Sequence, residues 1–94
     1  MKLLKKEFIG RGEVSGFIFK QVYVHDKFYI YQVTDNNRVH FELIKRYTNI
    51  EMGTGILRES YPTSKMFGIK SWTYPTIEDT INGVKNHFDI DITF

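Results

Sequence analysis

Three stretches rich in β-branched and aromatic residues decide the fold: VSGFIFKQVYV (14–24), FYIYQVT (28–34) and RVHFELIKR (38–46). Side chains of these types suit the pleated, half-buried surface of a sheet. The stretches are separated by HDK (25–27) and DNN (35–37), and both separators are clusters of turn-forming residues. The sequence therefore predicts three antiparallel strands joined by two hairpins.

The hydrophobic pattern favours a particular register, in which each hairpin loop has three residues. Val24 then lies opposite Phe28, and Thr34 lies opposite Arg38. Because successive side chains alternate between the two faces of a strand, one face becomes almost entirely apolar. That face carries Phe19, Gln21, Tyr23, Tyr29, Tyr31, Val33, Val39, Phe41 and Leu43. The second face, called the mixed face here, carries Ile18, Lys20, Val22, Ile30, Gln32, Thr34, Arg38, His40 and Glu42.

Further elements flank the hairpins. Phe8 and Ile9 predict a short strand, and FGIKSWTY (67–74) predicts a fourth one that Pro75 ends. The segment 47–65 is irregular and predicts a long loop that contains a short strand at 56–60.

A single helix is predicted after Pro75. Thr76 is suited to be its N-cap, since Asp79 follows three residues later. One apolar stripe along the helix is expected to pack on the apolar sheet face; it consists of Ile77, Ile81, Val84 and Phe88. The alternating tail, 89–94, predicts either an edge strand or a frayed end. The expected fold is one α+β domain over residues 1–94, an antiparallel sheet of three to five strands with a C-terminal helix on one face.

The composition narrows the possible functions. Ninety-four residues leave room for a single core. The absence of cysteine excludes disulfides, zinc–thiolate sites and iron–sulfur clusters. Since no apolar run is long enough for a membrane helix or a signal peptide, we expect a cytoplasmic protein without a membrane partner.

The motifs that carry catalytic or cofactor chemistry are weak. The glycines of GRGEVSG (10–16) precede a strand pattern and not a helix, so they predict a bend and not a phosphate loop. His25, His40 and His87 lack the spacing of metal ligands. No nucleophile elbow is present, and so small a core seldom encloses a catalytic cleft. We expect no enzyme activity, no cofactor and no metal.

The mixed face supports two hypotheses of function. Its apolar side chains predict protein–protein interaction or self-association, which is the leading interpretation; they are Ile18, Val22, Val24, Ile30 and Ile44. Its basic and polar side chains, with the N-terminal segment, predict nucleic-acid binding as the alternative. These are Lys20, Gln32, Arg38, His40 and Arg46, joined by Lys5, Lys6, Arg11 and Lys45. Lys20, Gln32, Arg38, His40, Arg46, Val22 and Ile30 are therefore the candidate binding residues.

Two resemblances accompany this interpretation. EFIGRGEVSGFIF (7–19), HFELIKR (40–46) and YPTSKMFGIKSWTY (61–74) resemble segments of a group of short bacterial proteins of unknown function. The order of strands and helix is similar to that of the three-stranded-sheet-plus-helix DNA-binding domains of some integrases and plant transcription factors. The second resemblance implies DNA reading by sheet residues, here Lys20, Arg38 and Arg46. The resembled domains also read DNA with tryptophan, but here we expect Trp72 to pack under the helix.

Overall fold

Strand β3 (Phe28–Asp35) lies at the centre of a five-stranded sheet in a computed structural model that describes residues 3–10, 16–62 and 68–93. Every neighbouring pair of strands is antiparallel. Across the sheet the order is β1 (Glu7–Ile9), β2 (Ile18–Val24), β3, β4 (Arg38–Lys45) and β7 (Ser71–Tyr74). The predicted α+β architecture is confirmed. Residues 11–15 and 63–67, which include the predicted strand starts at Val14 and Phe67 and the candidate Arg11, lie outside the described residues.

A second sheet of two strands is formed within the segment predicted as a long loop. β5 (Thr48–Ile50) pairs with β6 (Leu57–Glu59) in an antiparallel hairpin. The short strand predicted at 56–60 is confirmed as β6, whereas its partner β5 was not predicted.

Helix α1 spans Ile77–Phe88 and begins as predicted. The Thr76 hydroxyl accepts a hydrogen bond from the backbone N–H of Asp79 at 3.1 Å, which satisfies one of the free donors of the first turn. The helix ends at Asp89, whose backbone is left-handed with φ 56°. Residues 89–93 form no strand, but Ile92 is buried against the core.

Each face of the sheet carries its own buried apolar cluster. On the helix side, the buried cluster consists of Phe28, Ile30, Phe41, Leu43, Val84 and Ile92. On the opposite side, it consists of Phe19, Tyr29, Tyr31, Val33 and Ile44. Phe8 and Tyr61 pack on this second cluster. Strand β3 contributes buried residues to both clusters because each of its faces carries apolar side chains.

The predicted register is correct for part of the first hairpin and wrong for the second. Ile18 lies opposite Thr34 as expected, but a bulge at Val22 shifts the later pairs by one residue. The second hairpin turns on two residues, so that Asp35 and not Thr34 pairs with Arg38. Phe41 and Leu43 face the helix as expected, but they share that face with Ile30 and not with Tyr29 and Tyr31. The predicted division into an apolar and a mixed face therefore does not hold.

Within the described ranges, no helix combines the length and apolarity that a bilayer crossing requires.

Candidate functional site

The polar residues predicted to share the mixed face are divided between the two faces of the sheet. Lys20 and Gln32 are direct partners on β2 and β3 and lie on the helix side. Arg38 and His40 belong to the opposite side, because the corrected register places them on the same face as Ile44. Lys20 and Gln32 therefore do not share a sheet face with Arg38 and His40, as was expected.

The apolar residues predicted on the mixed face are also placed differently. Ile30 is 0% exposed and packs in the helix-side cluster, and Ile44 is equally buried on the opposite side. Val22 lies at the bulge of β2 and remains partly exposed. The expectation that Ile30 belongs to an open interaction surface is wrong, because both faces of the sheet are covered around it.

The β5–β6 hairpin carries an exposed apolar group of four side chains, called the apolar tip here: Ile50, Met52, Ile56 and Leu57. Met52 is 96% exposed, Ile50 67% and Leu57 50%. Ile50 and Leu57 are cross-strand partners, so their side chains lie beside each other on one face of the hairpin. Scattered exposed apolar residues are common, whereas contiguous apolar patches often mark interaction surfaces, so the paired Ile50 and Leu57 make the apolar tip a candidate site.

The turn that carries the apolar tip is held by its own hydrogen bonds. The Thr54 hydroxyl donates to Glu51 Oε1 at 3.2 Å, and the Glu51 backbone N–H donates to the carbonyl of Ile56 at 2.8 Å. Gly53 and Gly55 adopt φ values of 89° and 69°, which glycine tolerates without strain. The tip is therefore a shaped turn and not an open loop.

The base of the hairpin is fixed to the sheet by the buried carboxylate of Glu59. Arg46 Nε donates to Glu59 Oε2 at 2.6 Å, and the Leu4 backbone N–H donates to Oε1 at 3.2 Å. The Tyr29 hydroxyl donates to the same Oε1. Burial, with this hydrogen bond, raises the pKa of Tyr29 and keeps its hydroxyl a donor. The Arg46 guanidinium also lies 4.5 Å from the centre of the Tyr29 ring.

A second buried carboxylate holds the chain that follows the hairpin. The Tyr61 hydroxyl donates to Glu42 Oε2, and the Tyr61 ring packs edge-on against Phe8 and Phe19. Burial raises the pKa of Glu42, while the hydrogen bond from Tyr61 acts in the opposite direction. Both ends of the segment Arg46–Tyr61 are thus anchored, while β5, the turn and most of β6 are exposed to solvent.

Sequence reasoning missed the hairpin although a signal for it was present. Apolar residues flank EMGTG (51–55), and two such flanks around a short glycine-containing stretch are typical of a hairpin. The signal was weak because each strand has only three residues. The burial of Glu59 has no sequence signal at all, since it depends on partners from three distant segments.

The histidines do not form a site. His25 stacks on Phe28, and His87 stacks on Trp72, which packs under the helix as predicted. His40 is half-buried on β4, and burial lowers its pKa against the opposing effect of Asp35. Nowhere in 3–10, 16–62 and 68–93 do three potential metal ligands converge.

No protein-family model, curated protein or solved structure matches this chain.

Proposed function

We propose that this protein is a non-enzymatic interaction module that self-associates through the apolar tip of its β5–β6 hairpin. The observation that carries this proposal is the exposure of Ile50, Met52, Ile56 and Leu57 on a hairpin whose base is anchored. An anchored base keeps the apolar side chains in place without a partner, which lowers the entropic cost of binding.

The partner is a second copy of the chain. Association that covers the exposed apolar side chains of the tip removes them from water, which is favourable. A two-fold axis lets one patch serve both copies, with Ile50 of each hairpin against Leu57 of its partner.

The size of the apolar tip sets the expected affinity. Full burial of an aliphatic side chain contributes about 1.5–3 kcal/mol, and all of these residues except Met52 are already partly covered in the single chain. A contact of this size belongs with weak interfaces, which bury less than about 1,200 Å². We therefore expect a dimer that forms in the micromolar range or above.

We propose no enzyme activity because both buried carboxylates are engaged by neighbouring side chains. Glu59 is neutralised by Arg46 and Glu42 accepts from Tyr61, so neither carboxylate is free for acid–base chemistry. Nucleic-acid binding through the sheet has lost support, because Lys20 and Arg38 lie on different faces.

Sedimentation equilibrium over a concentration series tests the proposal. We expect the mass to rise from monomer toward dimer, and Ile50→Asp with Leu57→Asp to hold the protein monomeric. The matched control is Ile77→Asp, which places the same charge at an exposed site in the first turn of the helix. Ile18→Asp tests the exposed apolar residues of β2. A monomer at all concentrations, or a dimer that only Ile18→Asp disrupts, would overturn the proposal.

A further inference from the structure

A cleft of about 550 Å³ opens at the end of the sheet away from the Asn36 turn. Small-molecule sites typically have volumes of about 300–1,000 Å³. The cleft is lined by side chains from the β2–β3 turn, the end of β4, the start of β7 and the last turn of α1, among them Asp26, Lys27, Lys45, Arg46, Trp72 and His87.

Backbone hydrogen bonds fix the walls of this cleft relative to one another. The Arg46 N–H donates to the carbonyl of Lys27 at 3.0 Å, and the Lys45 N–H donates to the carbonyl of Lys70 at 2.8 Å. Within the turn, the Lys27 N–H donates to His25 Nδ1 at 3.0 Å. The two lysines therefore project from backbone that is already ordered, as a preformed binding site requires.

The charges that line the cleft favour an anion. Lys27 and Lys45 are exposed, and neither forms an ion pair with another residue in the part of the chain that the structure describes. The charge of Arg46 is matched by Glu59, so it adds little. Asp26 is the one acidic side chain among the lining residues. Among the described lining residues, these two ammonium groups against one carboxylate leave a net positive charge, which a phosphate would neutralise.

The cleft also presents an aromatic wall. The His87 ring stacks on Trp72 with centroids 4.0 Å apart and an angle of 18° between the planes. His87 is exposed and Trp72 is only partly buried, so ring surface is accessible from the cleft. Planar bases stack on such surfaces, whatever their sequence.

We propose that this cleft binds a nucleoside phosphate, with the phosphate on Lys27 and Lys45 and the base against the wall of Trp72 and His87. The unit is either a free nucleotide or part of a single-stranded nucleic acid, since both present a phosphate beside an unpaired base. This site is separate from the hairpin and does not depend on self-association.

The fluorescence of Trp72 tests the proposal directly, because Trp72 is the one tryptophan of the chain. The protein is titrated with adenosine monophosphate, oligothymidylate, duplex DNA and inorganic phosphate. We expect saturable quenching by the nucleotide or the oligonucleotide, and none by inorganic phosphate or by duplex DNA, whose bases are paired. Tighter binding of oligothymidylate that weakens steeply with salt identifies a single strand. Equal binding per nucleotide, with little dependence on salt, identifies a free nucleotide.

Charge-reversed variants localise the site. Lys27→Glu combined with Lys45→Glu should weaken binding by tenfold or more, whereas the control Lys20→Glu, on the sheet away from the cleft, should leave it unchanged. His87→Ala removes part of the stacking surface and should weaken binding by about tenfold. The absence of quenching by any nucleotide probe, or equal weakening by Lys20→Glu and by the double variant, would overturn the proposal.

Discussion

Arg46 and Glu59 form a short ion pair, 2.6 Å from Nε to Oε2, which joins the end of β4 to the end of β6. The two residues are 13 positions apart in the chain, and the whole hairpin lies between them. Since the Glu59 side chain is only 3% exposed, its charge depends on Arg46 for compensation. This pair is the main electrostatic link between the hairpin and the sheet.

We predict that Arg46→Ala lowers the free energy of unfolding by about 3 kcal/mol, because it leaves a buried carboxylate without its cation. Urea denaturation of the purified variant measures the change. Lys85→Ala is the control, since its ion pair with Asp89 is exposed and its removal should have no measurable effect. Equal stability of Arg46→Ala and wild type would show that the buried pair contributes nothing.

The buried Glu42 predicts a stability that depends on pH. Burial raises its pKa above the ordinary 4.5, so in the window above pH 4.5 the folded protein retains a proton that the unfolded chain has lost. The free energy of unfolding should therefore fall as the pH rises through this window. Glu42→Gln should remove this dependence, and Tyr61→Phe should extend the window upward because the carboxylate loses its donor. Unfolding curves at a series of pH values test both, and identical pH profiles for wild type and Glu42→Gln would contradict the prediction.

Gly83 predicts an unusual response to alanine. It is a buried helix residue, and a Cβ atom there would overlap the Tyr74 ring. In an open helix Gly→Ala stabilises by about 1 kcal/mol. Here we expect Gly83→Ala to destabilise by about 1–3 kcal/mol, since the core becomes overpacked. Tyr74→Leu should restore much of the loss in the double variant, measured by thermal denaturation. Additive effects of the two substitutions would argue against the contact.

The turn between β3 and β4 gives a further prediction. Asn36 has φ 54°, a left-handed conformation that asparagine and glycine tolerate better than other residues. Asn36→Ala should therefore cost about 1 kcal/mol of stability, and Asn36→Gly should cost little. Asn37→Ala is the matched control, because Asn37 lacks a positive φ. Chemical denaturation of the three variants distinguishes them, and a loss shared equally by both alanine variants would assign the effect to side-chain contacts.

Local signals in the sequence were sufficient to predict the helix and the main strands. Thr76 with Asp79 predicted the helix start, and Val84 of the predicted stripe is buried. Ile77, the first residue of that stripe, is 40% exposed and does not pack on the core. The register of β4 could not be predicted in the same way, because both faces of β3 are apolar and a shift of one residue exchanges one apolar set for another. The candidate site was missed for a different reason: each strand of the β5–β6 hairpin has only three residues, too few for a clear strand pattern.

The two apolar faces of β3 have a consequence for how the chain folds. Judged by hydrophobic patterning alone, β4 could also pair with β3 displaced by one residue, at a free energy close to that of the native alignment. In that alignment Glu42 would point toward Val84 and away from Tyr61, so a carboxylate would be buried without a donor. The polar residue inside the core thus acts against misalignment. We expect Glu42→Leu to fold into a mixture of alignments, visible as doubled amide resonances.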